Sequence, residues 1–154
     1  MSVATCLWFN DKGSEAAHLY VSLLPNSRVT GDQGMKVTFV LDGAPFEILN
    51  GGPNYKLTPA ASICVSTTSQ AETDRLWMAL LKDGGEESRC GWLVDKFGVS
   101  WQIVPDGIGN YLGGEDEAGR GRAIAAMMGM NKLVLADLEA AYKGTAAAAA
   151  APPA

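Results

Sequence analysis

The chain carries one pattern twice. Moving the sequence by 57 positions lays Leu19 and Tyr20 on Leu76 and Trp77, Leu23 and Leu24 on Leu80 and Leu81, and Glu15 on Glu72. Moving it by 55 lays Gly43 on Gly98, Phe46 on Trp101, Glu47 on Gln102 and Ile48 on Ile103. A repeat of this kind limits the fold more than local propensity does, because each copy must build the same supersecondary unit. In the first copy, "ATCLWFN" (4–10) reads as a strand. In the "SEAAHLYVSLL" that follows, Ala16, Leu19, Tyr20, Leu23 and Leu24 fall at helical spacing. Ser14 is the expected N-cap, and Pro25 with Asn26 ends the helix. In the second copy, "ASICVST" is the strand, and Leu76, Trp77, Leu80 and Leu81 mark the helix. Ser69 and Glu72 have the spacing of a capping box, and Gly84-Gly85 closes the helix.

The remainder of each copy is antiparallel by its connections. "KVTFVLDGAPFEIL" sets Asp42-Gly43 between two apolar runs, a strong hairpin signal, and "WLVDKFGVSWQIV" turns in the same way at Gly98. The expected fold is therefore α+β: two βαβββ repeats, about 1–57 and 58–106, forming a curved, antiparallel-rich sheet. Beyond 106 the pattern changes. "EDEAGRGRAIAAMMGM" and "LADLEAAYKG" predict two helices within a C-terminal extension over 107–144. The segment 145–154, "TAAAAAAPPA", offers no core residues and is expected to be disordered.

Composition narrows the partners. The 154 residues suffice for about one domain, and 47% hydrophobic with 19% charged residues is the balance of a soluble globular protein. The net charge is −5, and the longest basic stretch is "GRGR" at 119–122, which argues against a nucleic-acid surface. No run approaches the roughly 18 apolar residues of a membrane span. "MSVATCLWFNDK" lacks the basic start of a secretory signal. Cys6, Cys64 and Cys90 follow no metal-ligand spacing and read as buried free thiols in a reducing, cytoplasmic setting.

Four stretches, "LWFNDKGSEAAHLYVSLLPNSRV", "FEILNGGPNYK", "LLKDGGEESRCGWLVDKFGVSWQIVP" and "MMGMNKLVLADLEAAY", resemble a known family. It is the vicinal-oxygen-chelate superfamily of glyoxalases, bleomycin-resistance proteins and dioxygenases. Within that superfamily they resemble the PhnB-like branch, whose members are labelled 3-demethylubiquinone-9 3-methyltransferase. Asn50-Gly51-Gly52-Pro53 and Cys90-Gly91-Trp92 are its more specific signatures. The resemblance implies a cavity lined by each curled sheet and a homodimer. In metal-dependent members it also implies ligands on the first and last strand of each copy. The last-strand positions are Glu47 and Gln102; the first-strand ones fall near Ala4 or Thr5 and Ala61 or Ser62, which are poor ligands. The one histidine, His18, lies on the first helix. No cofactor is therefore assigned, and a water-rich divalent cation at Glu47 stays open.

The label implies S-adenosylmethionine chemistry, yet Gly51-Gly52, Gly84-Gly85 and Gly113-Gly114 do not sit in a glycine-rich strand-to-helix turn of a parallel sheet. The alternative is a small-molecule pocket around Glu47 and Gln102, with Trp8, Asn50, Cys90 and Trp92 as further ligand contacts. Phe46, Ile48, Trp101 and Ile103 would then face the helices. In an apolar cavity Glu47 would serve as general base; otherwise it is held by Gln102 or by solvent. Cys90 beside Arg89 is a reactive thiol or a buried strand residue. Trp8, Trp92 and Tyr55 are walls for a flat ligand or packing residues, and "GRGR" is an anion site or a solvated helix start. The function classes are an enzyme, a non-catalytic sequestering protein, and a partner-binding fold that uses Met127, Met128, Leu133 and Leu138 as its contact.

Overall fold

The computed structural model describes residues 1–145, so most of the predicted tail lies outside the described residues. By their contacts the residues form two compact units. The first is Met1–Ala61 with Phe97–Ser100; the second is Ser62–Lys96 with the chain from Trp101 onward.

In the first unit, β1 (Thr5–Phe9) leads into α1 (Gly13–Leu23), and β2 (Arg28–Asp32), β3 (Lys36–Leu41) and β4 (Ala44–Asn50) follow as a meander. The sheet order is β1-β4-β3-β2, with β1 parallel to β4 and the other pairs antiparallel. The β3–β4 turn is made by Asp42 (φ 44°) and Gly43 (φ 82°). Two successive left-handed residues match the twist of a tight hairpin. Alternation along the strands puts Leu7, Phe9, Val37, Phe39, Leu41 and Ile48 on one buried face. Ala16, Ala17 and Tyr20 of α1 are buried with them. Phe97 completes this cluster, its ring 6.1 Å from Phe9 and edge-on to Tyr20 at 6.2 Å.

The second unit repeats the plan. Its elements are β5 (Ile63–Thr67), α2 (Gln70–Leu81), β6 (Glu86–Glu87), β7 (Trp92–Val94) and β8 (Ser100–Pro105). The order β5-β8-β7-β6, with β5 parallel to β8, is the order of the first sheet. Three of its strands are shorter than their counterparts, and the chain continues into α3 (Gly109–Leu112), α4 (Glu117–Met128) and α5 (Leu135–Lys143), of which α4 and α5 bury residues. Leu76, Trp77, Leu80, Leu93, Trp101 and Ile103 are buried together with Leu133 and Leu138. Where α1 has Ala16, α2 has the buried Thr73, whose hydroxyl bonds Thr67 (2.6 Å) and donates to the Ser69 carbonyl (3.2 Å). The buried Asp95 accepts from the Trp101 indole N–H at 2.9 Å.

Several sequence expectations are corrected. Lys12, not Ser14, stands at the N-cap of α1 and gives no side-chain cap; the Ser14 hydroxyl donates to Asp32 instead. The capping box of α2 is half realised. Ser69 accepts from the Glu72 N–H, but Glu72 turns its carboxylate to Arg75 at 2.8 Å. Cys6 and Cys64 are exposed, not buried, because they occupy the strand face opposite the core. Leu133 and Leu138 are core residues and give no contact surface, whereas Met128 is exposed. "GRGR" opens on the surface, with Gly121 and Arg122 exposed, but its guanidinium groups are also used within the protein: Arg120 donates to the Gly114 carbonyl and Arg122 to the Ala141 and Tyr142 carbonyls. Arg122 thus caps the C-terminal end of α5, where free carbonyls and the helix dipole favour a cation. Among the described residues no helix is long and apolar enough to cross a membrane.

Candidate functional site

The face of the first sheet opposite its buried side gathers polar and ionisable side chains. Glu47 sits at the middle of β4, directly between Cys6 of β1 and Thr38 of β3. Lys36 lies two positions along β3 on that same face, a diagonal neighbour within reach of a long side chain. Its ammonium meets Glu47 Oε2 at 2.7 Å, with 28% of the Glu47 side chain exposed. The Cys6 thiol donates to Glu47 on the other side. Desolvation, then the negative charge of Glu47 and this hydrogen bond, push the Cys6 thiol above its ordinary range, while Lys36 pulls weakly the other way. Glu47 in turn holds Lys36 above the usual lysine range. The result is a chain of three polar groups, thiol, carboxylate and ammonium, across adjacent strands.

Trp8 follows two residues after Cys6 on the same face, opposite Leu49. Its indole N–H donates to the Gly52 carbonyl at 2.9 Å, and Tyr55 stands edge-on at 4.9 Å. Gly51 allows this seat: a Cβ there would fall 2.3 Å from the Trp8 ring. The N-G-G-P stretch therefore fixes an aromatic corner beside the polar chain. Asn50 supports it from behind. Its amide accepts from the Gly13 N–H (2.9 Å) and donates to the Gly34 carbonyl (2.7 Å), so both ends are used inside the protein.

The second sheet shows the same positions with other residues. Gln102 lies opposite Cys64, and its amide donates to the Ser62 hydroxyl at 2.9 Å. Trp92 is half-buried and alternates with the buried Leu93 on β7, which puts it on the Gln102 face. Cys90 is in no strand. It sits before β7 in the left-handed region (φ 57°) and turns its thiol to the Met127 carbonyl (3.5 Å) and the Met128 sulfur (3.9 Å) of α4. His18 is exposed on α1 with Nδ1 2.8 Å from the Ser14 carbonyl oxygen, far from a ligand set of three.

Two first-strand positions differ from expectation. The register pairs Cys6 with Glu47 and Cys64 with Gln102, rather than Ala4 or Thr5 and Ala61 or Ser62, although Ser62 still reaches the Gln102 amide through its hydroxyl. Among the described residues no three His, Cys, Asp or Glu side chains come together as a metal-binding group. A cation at Glu47 would have to displace Lys36, so these residues do not fit a transition-metal site. The glycines do not fit S-adenosylmethionine either. The space at Gly51 is filled by Trp8, Gly85 packs on the end of α2, where a Cβ would fall 2.6 Å from Leu81 Cα, and Gly114 packs on Tyr142.

Comparison with known proteins now places the chain. The model of the 3-demethylubiquinone-9 3-methyltransferase family matches residues 1–104. The chain belongs to this family. A similar solved structure is a putative 3-demethylubiquinone-9 3-methyltransferase, PhnB protein, from Bacillus cereus. It is 29% identical, with a TM-score of 0.62 over 68% of this chain and 99% of the other. A glyoxalase/bleomycin resistance protein from Albidiferax ferrireducens shares the fold at 13% identity, with a TM-score of 0.53 over 68% of this chain and 98% of that one. So does the fosfomycin resistance protein FosX from Listeria monocytogenes, at 15% identity and TM-score 0.51 over 68% and 92%. No curated protein matches. The fold is that of the vicinal-oxygen-chelate superfamily, and the family match ends before α3.

The sequence expectation named Glu47 and Trp8 but not their neighbours on the same face, Cys6 and Lys36. The equivalence of Cys6 and Cys64 shows only in the strand register, since the helix offset of 57 lays Cys6 on Ile63.

Proposed function

We propose that the protein binds a small, flat, hydroxylated ring on the face of its first sheet, with Trp8 and Tyr55 against the ring and Glu47 accepting from a ring hydroxyl. The observation that carries this is the adjacency of an aromatic corner to an anchored carboxylate on one strand pair, β1 and β4. Apolar surface with a few convergent polar groups is the usual make-up of such a site. The demethylubiquinone of the family's printed description is a flat quinone ring bearing a hydroxyl; methyl transfer is not carried over, since one glycine of each pair, Gly51, Gly85 and Gly114, is packed tightly against protein. Glu47 can act in two ways. As a base it takes the hydroxyl proton while Lys36 balances its charge; as a binder it only accepts the hydrogen bond. Cys6, whose thiol is held protonated, donates to Glu47 and orients it. Gln102 serves its own sheet through Ser62 and completes the repeat without an acid. A homodimer in the cytoplasm is part of the same proposal, supported on the protein side by the exposed Ile124 and Met128 of α4.

The test is a titration with catechol, read by quenching of indole fluorescence and by product analysis. Trp8→Ala is expected to weaken binding about tenfold, the worth of an aromatic contact of roughly 1.4 kcal/mol. Conversion of catechol that vanishes in Glu47→Gln while binding persists identifies an enzyme. Binding without conversion in either protein identifies a sequestering role. Equal affinity of wild type, Trp8→Ala and Glu47→Gln would remove the site altogether.

A further inference from the structure

The second unit has an open groove of about 830 Å³ on the outer side of α2, formed by residues with no part in the Glu47 face. The buried residues of α2, Thr73, Leu76 and Leu80, point to its own core, and Trp77, 3% exposed, shows only an edge outward. Arg75, Met78, Ala79 and Lys82 recur three and four residues apart and so form a separate stripe. Two of these four are apolar. Met78 is 71% exposed, an unusual place for a large thioether on a surface helix. Trp77, Met78, Ala79 and Leu81 give the groove an apolar lining, and the charges around it are Arg75, Lys82, Lys132 and Glu87.

The charges are not equivalent. Glu87 is the acid at the groove, and both its oxygens are occupied: Oε1 accepts from the Trp77 indole (2.8 Å) and Oε2 from the Asn131 amide (3.1 Å). Arg75 is held by Glu72 at 2.8 Å and Lys132 by Asp74 at 2.7 Å. Neither of those acids lines the groove. Lys82 has no acid partner among the described residues. On a chain of net charge −5, one apolar hollow therefore keeps a single uncommitted cation beside two neutralised ones.

We infer that this groove is a second binding site, for an amphipathic monoanion: a carboxylate on an apolar tail, its head at Lys82 and its tail along Met78, Ala79 and Leu81. The volume is in the range of sites for ligands of drug size. The charge count selects one negative charge, and the lining selects an apolar body rather than a free inorganic anion. The flexible thioether of Met78 suits a tail of variable shape.

The experiment uses the full chain labelled with ¹³C at the methionine methyl groups, titrated with decanoate. The Met78 methyl signal is expected to shift saturably, with Met35 on the first unit unmoved. Lys82→Glu is expected to weaken binding about tenfold or more, and Met78→Asp to abolish the shift of the neighbouring Trp77 indole. Both residues are at the surface, so both variants keep the fold. Decanol binding as tightly as decanoate would overturn the anion assignment. Shifts centred on Met35 and Trp8, or none at all, would overturn the site. A Met78 signal that moves with protein concentration alone would assign this face to a second copy of the chain and overturn the ligand.

Discussion

Replacing Glu47 by Gln and Lys36 by Met should move the reactivity of Cys6 in opposite directions. Glu47 raises the Cys6 pKa through its charge and its hydrogen bond, whereas Lys36 lowers it. Two unit charges about 4 Å apart interact by roughly 1 kcal/mol in water and about 4 kcal/mol at a protein surface. With 28% of the Glu47 side chain exposed, the lower part of that range applies. About 1.4 kcal/mol corresponds to one pH unit, or tenfold in thiolate. The thiolate is the reacting species, so at pH 8, below the Cys6 pKa, alkylation of Cys6 by iodoacetamide should be about tenfold faster in Glu47→Gln. The Lys36 effect on Cys6 is smaller than that of Glu47, so Lys36→Met should slow the reaction by about two- to threefold. Peptide mapping by mass spectrometry follows Cys6 separately, with Cys64 and Cys90 as internal references. If both variants shift Cys6 the same way, or neither changes it while Cys64 and Cys90 react as before, the thiol–carboxylate–ammonium chain does not exist in solution.

Other perturbations test the supports. Gly51→Ala sets a Cβ 2.3 Å from the Trp8 ring and should cost about 1–3 kcal/mol in urea unfolding, with loss of the ordered Trp8 indole N–H signal. Trp101→Phe removes the 2.9 Å donor to the buried Asp95 and should cost about 2–4 kcal/mol; a change below about 0.5 kcal/mol would show that Asp95 is satisfied without it. Asp74 and Glu87 are both held below the ordinary carboxylate range, Asp74 first by Lys132 and Glu87 first by the Trp77 indole. Groups with lowered folded pKa values give stability that is present above the unfolded values and lost as pH falls through the folded ones. The midpoint of thermal unfolding should therefore drop below about pH 4, and Asp74→Asn should flatten that slope. Sedimentation at micromolar concentration checks the homodimer, and a monomer removes it.

How much could be read from the chain follows from the range of the interactions. The repeat, the two helices and the hairpin at Asp42-Gly43 rest on neighbours within a few residues, and the identical orders β1-β4-β3-β2 and β5-β8-β7-β6 follow the repeat. Strand alternation alone put Glu47 and Gln102 opposite the buried Ile48 and Ile103. The partners of those two residues could not be read this way. Cys6 meets Glu47 through a parallel register 41 positions apart (47 − 6), which no local pattern encodes. The same holds for Arg122 on the last carbonyls of α5 and for Glu87 on Trp77. Asn50 and Leu133 looked like surface candidates because sequence shows side-chain type, not what surrounds it. The sequence by itself determined the repeated unit and which strand face is polar, since both depend on periodicity. Only the tertiary structure decided which polar groups touch and which thiols see solvent, since those depend on the pairing of strands distant along the chain.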